Sequence, residues 1–397
     1  MSALPDLGAP PALPPEAQAA ALALLENGRL HRYREAGGDG GSVARLERAF
    51  AAMLGARFAV AVNSCGSAMF LSLLGAGVGP GDPVLMNAFT LGPVPGAIAH
   101  AGARAVLVEI TPDLVIDLDD LALKAASSGA RHLLLSHMRG HLCDMGALMT
   151  VCDRLGIAVI EDCAHALGAA WDGRAAGRFG IAGAFSFQSG KHVNAGEGGV
   201  IVTDDADLAA RAILHSGSYM LYAQNGTCPP DTVMARWRDL CPNFSLRMSA
   251  LVAELALPQL PLLPARVADW NASHDRIAAR LTTLPGVTLP RRDAREAYAQ
   301  SSIQFRLPGR DAGGMADFIA AARERGLFVK WFGMDRAEGY TSNPSHWHYV
   351  DNAGSSGAMA VQATLCDIRL PLGLTPQDCD RIVEVLAASL TTNLAKD

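Results

Sequence analysis

Short apolar runs separated by amphipathic segments repeat along the first two thirds of the chain. Runs such as Phe58–Val62 and residues 157–160 show little alternation between apolar and polar positions, which is typical of strands covered on both faces. Segments with helical spacing lie between the runs, for example SVARLERAFAAMLG, which Ser42 begins as a capping residue. This order predicts an α/β fold with a mostly parallel central sheet and covering helices.

The same pattern predicts three parts of the chain. Residues 1–40 contain a Pro/Ala-rich start, one helix and the aperiodic loop YREAGGDGG, and we expect them to form an N-terminal arm. Residues 41–265 carry the alternating strands and helices and predict a large domain. Residues 266–397 predict a smaller C-terminal α/β domain. Pro258, Pro261 and Pro264 should break or kink the helical segment that leads into it.

Composition and charge exclude several classes of function. A net charge of -6 without any Lys/Arg-rich run argues against nucleic-acid binding. No run approaches the roughly 18 apolar residues of a membrane span, and the start MSALPDLGAPPALPP does not have the form of a signal peptide. We therefore expect a cytoplasmic protein. The eight cysteines form no CxxC pair and no ligand spacing, so no metal site is predicted.

The candidate chemistry lies between residues 157 and 205. A buried strand ends at Asp162, a Gly-rich loop follows, and Lys191 lies between a second strand at 184–187 and the turn GEGG. Because open α/β sheets present functional groups at the carboxyl ends of parallel strands, we expect the acid and the lysine to share a site. An acid and an amine held together in this way indicate a pyridoxal phosphate (PLP) site.

Each of these residues also has a purely structural interpretation. Asp162 would keep a pyridine nitrogen protonated, or it would cap a helix or form an ion pair, and the sequence does not separate these roles. Lys191 fits a Schiff-base lysine better than a solvated lysine because Phe185, Phe187 and two Gly-rich turns surround it. His165 would contact the cofactor ring or serve as a hydrogen-bonded structural histidine.

Four further residues are candidates for cofactor contacts. The strand–turn–helix sequence NSCGSAMFLSLL places Gly66 and Ser67 at a helix start, where backbone N–H groups bind anions, although both are ordinary helix-entry residues. The Ser186 hydroxyl could add to such a phosphate site. Phe89 would stack on a flat ring or belong to the core.

Seven segments in order resemble the DegT/DnrJ/StrS family of PLP-dependent aminotransferases, best known for installing amines on nucleotide-linked sugars and cyclitols. They run from about residue 40 to the C-terminus and are GSA, NAFTLGPVPGAIAHAGA, SHMRGHLCDM, EDCAHALGA, FSFQSGK with GEGG, PNFSLRMSAL and RLPLGLTPQD. The resemblance implies the fold-type I PLP-dependent transferase architecture. It also implies a ping-pong transfer from an amino acid, by family habit glutamate or glutamine, to a keto or aldehyde acceptor.

The resemblance implies roles for particular residues. Lys191 matches the Schiff-base lysine, Asp162 the acid that faces the pyridine nitrogen, and His165 the residue beside the ring. Asn243 matches an asparagine that reaches the phosphate of the neighbouring subunit, which implies a homodimer with shared active sites. The implied cofactor contacts are Gly66, Ser67, Ala68, Phe89, Asp162, His165, Ser186, Lys191 and Asn243.

The segments that line the acceptor site in relatives differ here. KWFGMDRAEGYTSNPSHWHYV and SGSYMLYAQNG are unlike those of the common nucleotide-sugar enzymes, so a sugar, a cyclitol or a small biosynthetic ketone remains open as the acceptor. Arg247 and Trp331 are the candidate substrate contacts. Two alternatives are a PLP-dependent lyase acting on an amino acid and a non-catalytic regulator, and the intact Lys191 disfavours the regulator.

Overall fold

A computed structural model describes residues 4–33, 40–225, 227–339, 341–351 and 355–391. Most of the loop YREAGGDGG lies outside these residues. The helices are α1 Pro15–Asn27, α2 Ser42–Leu54, α3 Cys65–Gly75, α4 Pro93–His100, α5 Leu118–Ser128, α6 Met145–Leu155, α7 Ala206–Ser216, α8 Asp231–Trp237, α9 Ala250–Ala256, α10 Leu263–Leu281, α11 Ala312–Glu324, α12 Ser356–Gln362 and α13 Pro376–Thr391. The strands are β1 Phe58–Val62, β2 Pro83–Asn87, β3 Arg104–Val108, β4 His132–Ser136, β5 Ala158–Asp162, β6 Ala170–Trp171, β7 Arg174–Ala175, β8 Ala182–Ser186, β9 Gly199–Thr203, β10 Glu296–Ala297, β11 Ser302–Arg306, β12 Lys330–Trp331 and β13 Leu365–Arg369.

A seven-stranded sheet forms the centre of the molecule, in the order β1-β9-β8-β5-β4-β2-β3. β9 runs antiparallel to its neighbours β1 and β8. The remaining neighbours in the sheet, from β8 through β5, β4 and β2 to β3, are parallel. The predicted α/β fold with a mostly parallel sheet is therefore confirmed. The register places Ser136 opposite Asp162, and Asp162 opposite Ala184, so β4, β5 and β8 end at the same edge.

Both faces of this sheet are covered, as the apolar runs predicted. In β5, Ile160 packs into the core on one face and Val159 into the core on the other. Leu134 and Leu133 of β4 divide in the same way. All five positions of β1, β8 and β9 are buried, which explains why these strands show no polar alternation.

A second, smaller sheet lies in the C-terminal part of the chain, with antiparallel strands in the order β11-β13-β12. Its core includes Trp270, Phe305 and Phe318. Trp347, although late in the sequence, is fully buried in the core of the central sheet instead. The predicted domain boundary at residue 265 falls within α10, and it stays a prediction.

The helical run from Ala250 to Leu281 connects the two parts. The predicted interruption by prolines is present, because a 3₁₀ segment at Leu257–Leu262 that contains Pro261 separates α9 from α10. By length and apolar composition this is the one described run that would also suit a membrane span. Some of its apolar residues pack within the protein, Leu260 in the core of the central sheet and Trp270 in the C-terminal core, whereas Leu262 is exposed.

Candidate active site

A cavity of about 560 Å³ opens at the carboxyl edge of the central sheet. Its wall is formed by residues that follow β1, β2, β4, β5 and β8, together with residues of the C-terminal part. This is the edge at which open α/β sheets bind ligands. The structure thus brings the predicted acid, lysine and histidine into one cavity.

Lys191 lies on the loop after β8, and its Nζ is 2.6 Å from Nε2 of His165. The loop is held by a hydrogen bond from the Lys191 backbone N–H to the Gln188 carbonyl oxygen. Burial of the ammonium group, followed by the positive charge of Arg139, lowers the pKa of Lys191 to about 7. In a large fraction of the molecules, Lys191 is therefore an uncharged amine near neutral pH. A nucleophilic lysine requires this form.

His165 is a buried neighbour of this amine. Burial, and then the charge of Lys191, holds the pKa of its imidazole well below the usual range. The ring is thus neutral at physiological pH, and it exchanges a hydrogen bond with Lys191 in which either nitrogen can be the donor.

Asp162 ends β5 with its carboxylate in the cavity wall. Its Oδ2 accepts a hydrogen bond from Ser136 Oγ at 2.8 Å, and its Oδ1 accepts one from the Ala164 backbone N–H at 3.0 Å. The carboxylate is 5% exposed and fixed in direction. It has no cationic side chain among the hydrogen-bond partners that the structure describes, so the structural ion pair considered above is not its role.

The adjacent acid, Glu161, faces the opposite way. Its oxygens accept hydrogen bonds from His137 Nε2 and from the backbone N–H groups of Gly177, Phe179 and Gly180, at 2.7–3.0 Å. Burial acts to raise the pKa of Glu161, but these hydrogen bonds, that of His137 foremost, leave it below its usual range. With Cys163, Glu161 and His137 lie close enough to hold a metal ion, yet these hydrogen bonds already account for the carboxylate.

The start of α3 forms the anion-binding part of the cavity. Ser64 caps the helix, since its Oγ accepts a hydrogen bond from the Ser67 N–H at 3.0 Å. Ser64, Cys65 and Gly66 line the cavity together with Ser186. The helix therefore begins before the predicted pair Gly66 and Ser67. Ala68 is fully buried in the core.

These groups fit the cofactor predicted from the sequence. The first turn of α3 and the hydroxyls of Ser64 and Ser186 suit a phosphate group. The Asp162 carboxylate suits a protonated pyridine nitrogen, and the Lys191 amine suits the carbonyl carbon of PLP.

Two predicted contacts lie elsewhere. The Phe89 ring is fully buried and packs edge-on against Phe332, with the ring centroids 5.1 Å apart, while the neighbouring Thr90 and Leu91 line the cavity. The predicted stacking of Phe89 on the cofactor is therefore wrong, because the chain turns after β2 and directs this side chain into the core.

Trp331, predicted to contact the substrate, also lies outside the cavity wall. Its Nε1 donates a hydrogen bond to the Ala363 carbonyl oxygen at 2.8 Å, and its ring packs against the C-terminal core. Neighbouring side chains of a strand point to opposite faces, so Lys330 and not Trp331 lines the cavity.

Asn243 and Arg247 lie in an irregular segment before α9. Asn243 is exposed, and its Oδ1 accepts a hydrogen bond from the Ser245 N–H at 2.8 Å. Arg247 donates from Nη1 to the Gly217 carbonyl oxygen at 3.1 Å. The described part of the chain places neither residue in the wall of its own cavity.

Sequence reasoning missed the cationic side of the cavity. Arg139, Lys330 and Arg369 line it, and so does the pair of Arg323 and Glu338. The segment SHMRGHLCDM does place Arg139 between a buried strand and a helix, and this position is its one local signal. The cationic residues of the C-terminal part gave no signal of their own.

Two curated proteins are similar in sequence to part of this chain. It is 35% identical over 262 residues to the spore coat polysaccharide biosynthesis protein SpsC of Bacillus subtilis (strain 168), which covers 63% of this chain and 64% of that protein. It is 33% identical to the GDP-perosamine synthase of Caulobacter vibrioides over 59% of each chain. These alignments thus span less than two thirds of the curated relatives.

The fold is shared over almost the whole chain. The aminotransferase TlmJ of Streptoalloteichus hindustanus superposes with a TM-score of 0.83 at 24% identity, covering 98% of this chain and 99% of that one. The family model of the DegT/DnrJ/EryC1/StrS aminotransferases matches residues 16–386. The resemblance found in the seven segments is confirmed, and the chain belongs to the DegT/DnrJ/EryC1/StrS aminotransferase family.

Proposed function

We propose that the protein is a PLP-dependent aminotransferase that moves an amino group from an amino acid, glutamate or glutamine, to a keto or aldehyde acceptor in two half-reactions. The observation that carries this proposal is the pair formed by Lys191 and His165, with 2.6 Å between Nζ and Nε2, in the same cavity as Asp162. Bound PLP supplies a carbonyl carbon for amines and a ring that withdraws electrons when its nitrogen is protonated.

The residues of the chain have distinct tasks in this mechanism. Asp162, oriented by Ser136 and the Ala164 N–H, holds a proton on the pyridine nitrogen through its negative charge. Lys191 Nζ, with a pKa of about 7, takes a proton from the substrate carbon and returns it on the other side of the reacting centre. Neutral His165 accepts or donates the hydrogen bond that positions Nζ when the amine is free.

The names of two relatives support a class of acceptor. The Bacillus relative is named for polysaccharide biosynthesis and the Caulobacter relative is a GDP-perosamine synthase, which favours a carbonyl compound on the way to an amino sugar or a similar molecule. A sugar, a cyclitol or a small biosynthetic ketone all fit this class.

The first experiment is an absorbance titration of the purified protein with PLP, followed by L-glutamate or L-glutamine. We expect a yellow band that one donor bleaches, with release of the keto acid. Lys191→Ala should lose the band, and Lys124→Ala on α5 is the matched control. A wild-type protein that binds no cofactor, or that releases ammonia without bleaching, would contradict the proposal.

We also propose that the enzyme is a homodimer in which the segment 243–247 completes the site of the partner. Asn243 is exposed and outside its own cavity wall, and large apolar side chains nearby in sequence are exposed as well, among them Phe244 at 39% and Met220 at 55%. A contiguous patch of such side chains marks an interface, and Tyr219, Met220 and Leu221 are exposed in succession.

Mixing of two inactive variants tests this arrangement. Lys191→Ala and Asn243→Ala chains, co-refolded in equal amounts, should recover about a quarter of wild-type activity, since half of the dimers are mixed and each mixed dimer has one intact site. Recovery must coincide with a dimer mass in light scattering. Two dimeric variants that recover no activity on mixing would exclude shared sites.

A further inference from the structure

The cavity has a cationic side that the proposed transfer of an amine does not by itself require. Of the described residues in its wall, five are cationic and three are acidic. Glu338 pairs with Arg323 at 3.0 Å, and Asp162 serves the cofactor nitrogen. Glu197 is the third acid, and Arg139, Lys330 and Arg369 form the cationic side of the wall.

Arg139 is the buried member of this group. It is 8% exposed, and its Nη2 lies 2.7 Å from Oδ2 of Asp367. Its guanidinium carbon is 5.9 Å from the centre of the Phe332 ring, an arrangement that suits a cation on an aromatic face. Its Nε is buried and has no hydrogen-bond partner among the residues that the structure describes. Because this atom has almost no accessible surface, a ligand in the cavity would meet the outer end of the guanidinium and not Nε.

A buried hydrogen-bonded path fixes the position of Arg139. Asp367 Oδ1 accepts a hydrogen bond from Gln304 Nε2 at 2.7 Å, and Gln304 Oε1 lies 2.8 Å from His141 Nε2. Asp367 itself is 3% exposed. Because both carboxylate oxygens are engaged, Asp367 holds the guanidinium in place and leaves its remaining donors for another anion.

That second anion is not the phosphate of the cofactor. The phosphate-binding residues follow β1 and β8, whereas Arg139 follows β4. In the sheet order β1-β9-β8-β5-β4, the strand of Asp162 lies between these two groups. A phosphate held at the start of α3 would therefore be separated from Arg139 by the strand of Asp162, and Arg139 would be left for a group of the substrate.

The positive charge of Arg139 acts on two neighbouring amines. Burial, and next the charge of Arg139, lowers the pKa of Lys330 to about 8, and the same two causes lower that of Lys191. An anion beside Arg139 would compensate the second cause at both amines.

We propose that Arg139, held by Asp367, recognises an anionic group, a carboxylate or a phosphoryl group, on the amino acceptor. The proposal rests on the aminotransferase function proposed above and narrows its acceptor to an anionic small molecule, as opposed to a neutral sugar or cyclitol. Since donor and acceptor occupy the cavity in turn, a carboxylate of the donor amino acid uses the same arginine.

The test measures binding of unreactive probes to the PLP-loaded full-length protein by titration calorimetry. The probes are succinate for a carboxylate, inorganic phosphate for a phosphoryl group and myo-inositol for a neutral polyol. With the cofactor bound, its own phosphate fills the start of α3, so added phosphate reports a second anion site. We expect one of the two anions to bind, and the tighter of them identifies the class. Preferred binding of myo-inositol would overturn the proposal.

Variants then assign the anion site to Arg139. Arg139→Gln should weaken the preferred anion about tenfold to a hundredfold, as expected for loss of a charge-assisted hydrogen bond, and Arg139→Lys should lie between it and the wild type. The double variant Arg139→Gln/Asp367→Asn avoids an unpaired buried carboxylate. Its affinity for the anion should equal that of Arg139→Gln. Arg276→Gln, which removes an exposed arginine paired with Asp380, is the control and should leave the affinity unchanged.

The yellow band and its bleaching by a donor separate this proposal from the proposed function. If the band forms and bleaches but Arg139→Gln binds the anions as the wild type does, the anion site is wrong and the aminotransferase function stands. If anion binding depends on Arg139 and no donor bleaches the band, the function is wrong and the anion site stands.

Discussion

The two sides of the cavity are built in different ways. The cofactor side takes Asp162, His165 and Lys191 from two adjacent strand ends and the loops that follow them. The substrate side takes Arg139 from the first half of the chain and Lys330 and Arg369 from the second half. The first side is therefore fixed by local sequence, whereas the second depends on how the C-terminal part packs. In the function that we propose, the first side carries out the chemistry and the second selects the substrate.

The largest expected effect comes from breaking the cofactor side alone. Asp162→Asn removes the negative charge that holds the proton on the pyridine nitrogen, and we expect donor bleaching to slow by about 10²–10⁴-fold. Stopped-flow absorbance after addition of the donor measures the rate, with Asp380→Asn on α13 as the control. A cofactor-loaded Asp162→Asn protein that bleaches at the wild-type rate would show that this carboxylate has no such role.

An intermediate effect tests whether one side influences the other. The amine of Lys191 must be neutral to react, so the capture of PLP by cofactor-free protein should slow about tenfold for each pH unit below 7 and level off above it. Arg139→Gln removes a cause of the lowered pKa and should move this midpoint to higher pH. The growth of the yellow band across a pH series gives the midpoint. A midpoint near the ordinary lysine value of 10.5 would contradict the buried environment of Lys191.

The smallest effect concerns Phe89, which belongs to neither side. Phe89→Leu should lower the free energy of unfolding by about 1–3 kcal/mol, since it removes buried ring atoms and the edge-on contact with Phe332. It should leave donor bleaching unchanged, because the ring lies in the core. Urea unfolding and stopped-flow absorbance measure the two quantities. Leu91→Ala, which changes the cavity wall, is the matched variant and should alter the bleaching rate. An altered rate in Phe89→Leu would place that ring beside the cofactor after all.

The sequence predicts the fold and the cofactor side because both depend on short-range pattern. Buried strands of five residues with turns at their ends position Asp162 and Lys191 at one edge. The prediction of cavity contacts fails for Phe89 and Trp331. The direction of a side chain just beyond a strand, or within a two-residue strand, is set by tertiary packing. A shift of one or two positions, to Leu91 or to Lys330, is enough to exchange core for cavity.

The substrate side could not be predicted for a different reason. Arg139, Asp367 and Gln304 are polar residues in otherwise apolar surroundings, which signals a buried partner for each of them. A single sequence does not say that the partners are one another, since hydrogen bonds across the two sheets appear only when the C-terminal part has packed onto the central sheet.

The path from His141 through Gln304 and Asp367 to Arg139 has a consequence for recombining this protein with its relatives. His141 and Arg139 belong to the first half of the chain, and Gln304 and Asp367 to the second. A chimera that imports a foreign C-terminal half leaves the buried Arg139 without its carboxylate unless Asp367 is carried over, and Asp367 in turn needs the amide donor of Gln304. Substrate preference in such hybrids should thus be inherited from matching halves, and exchange of surface loops alone should not transfer it.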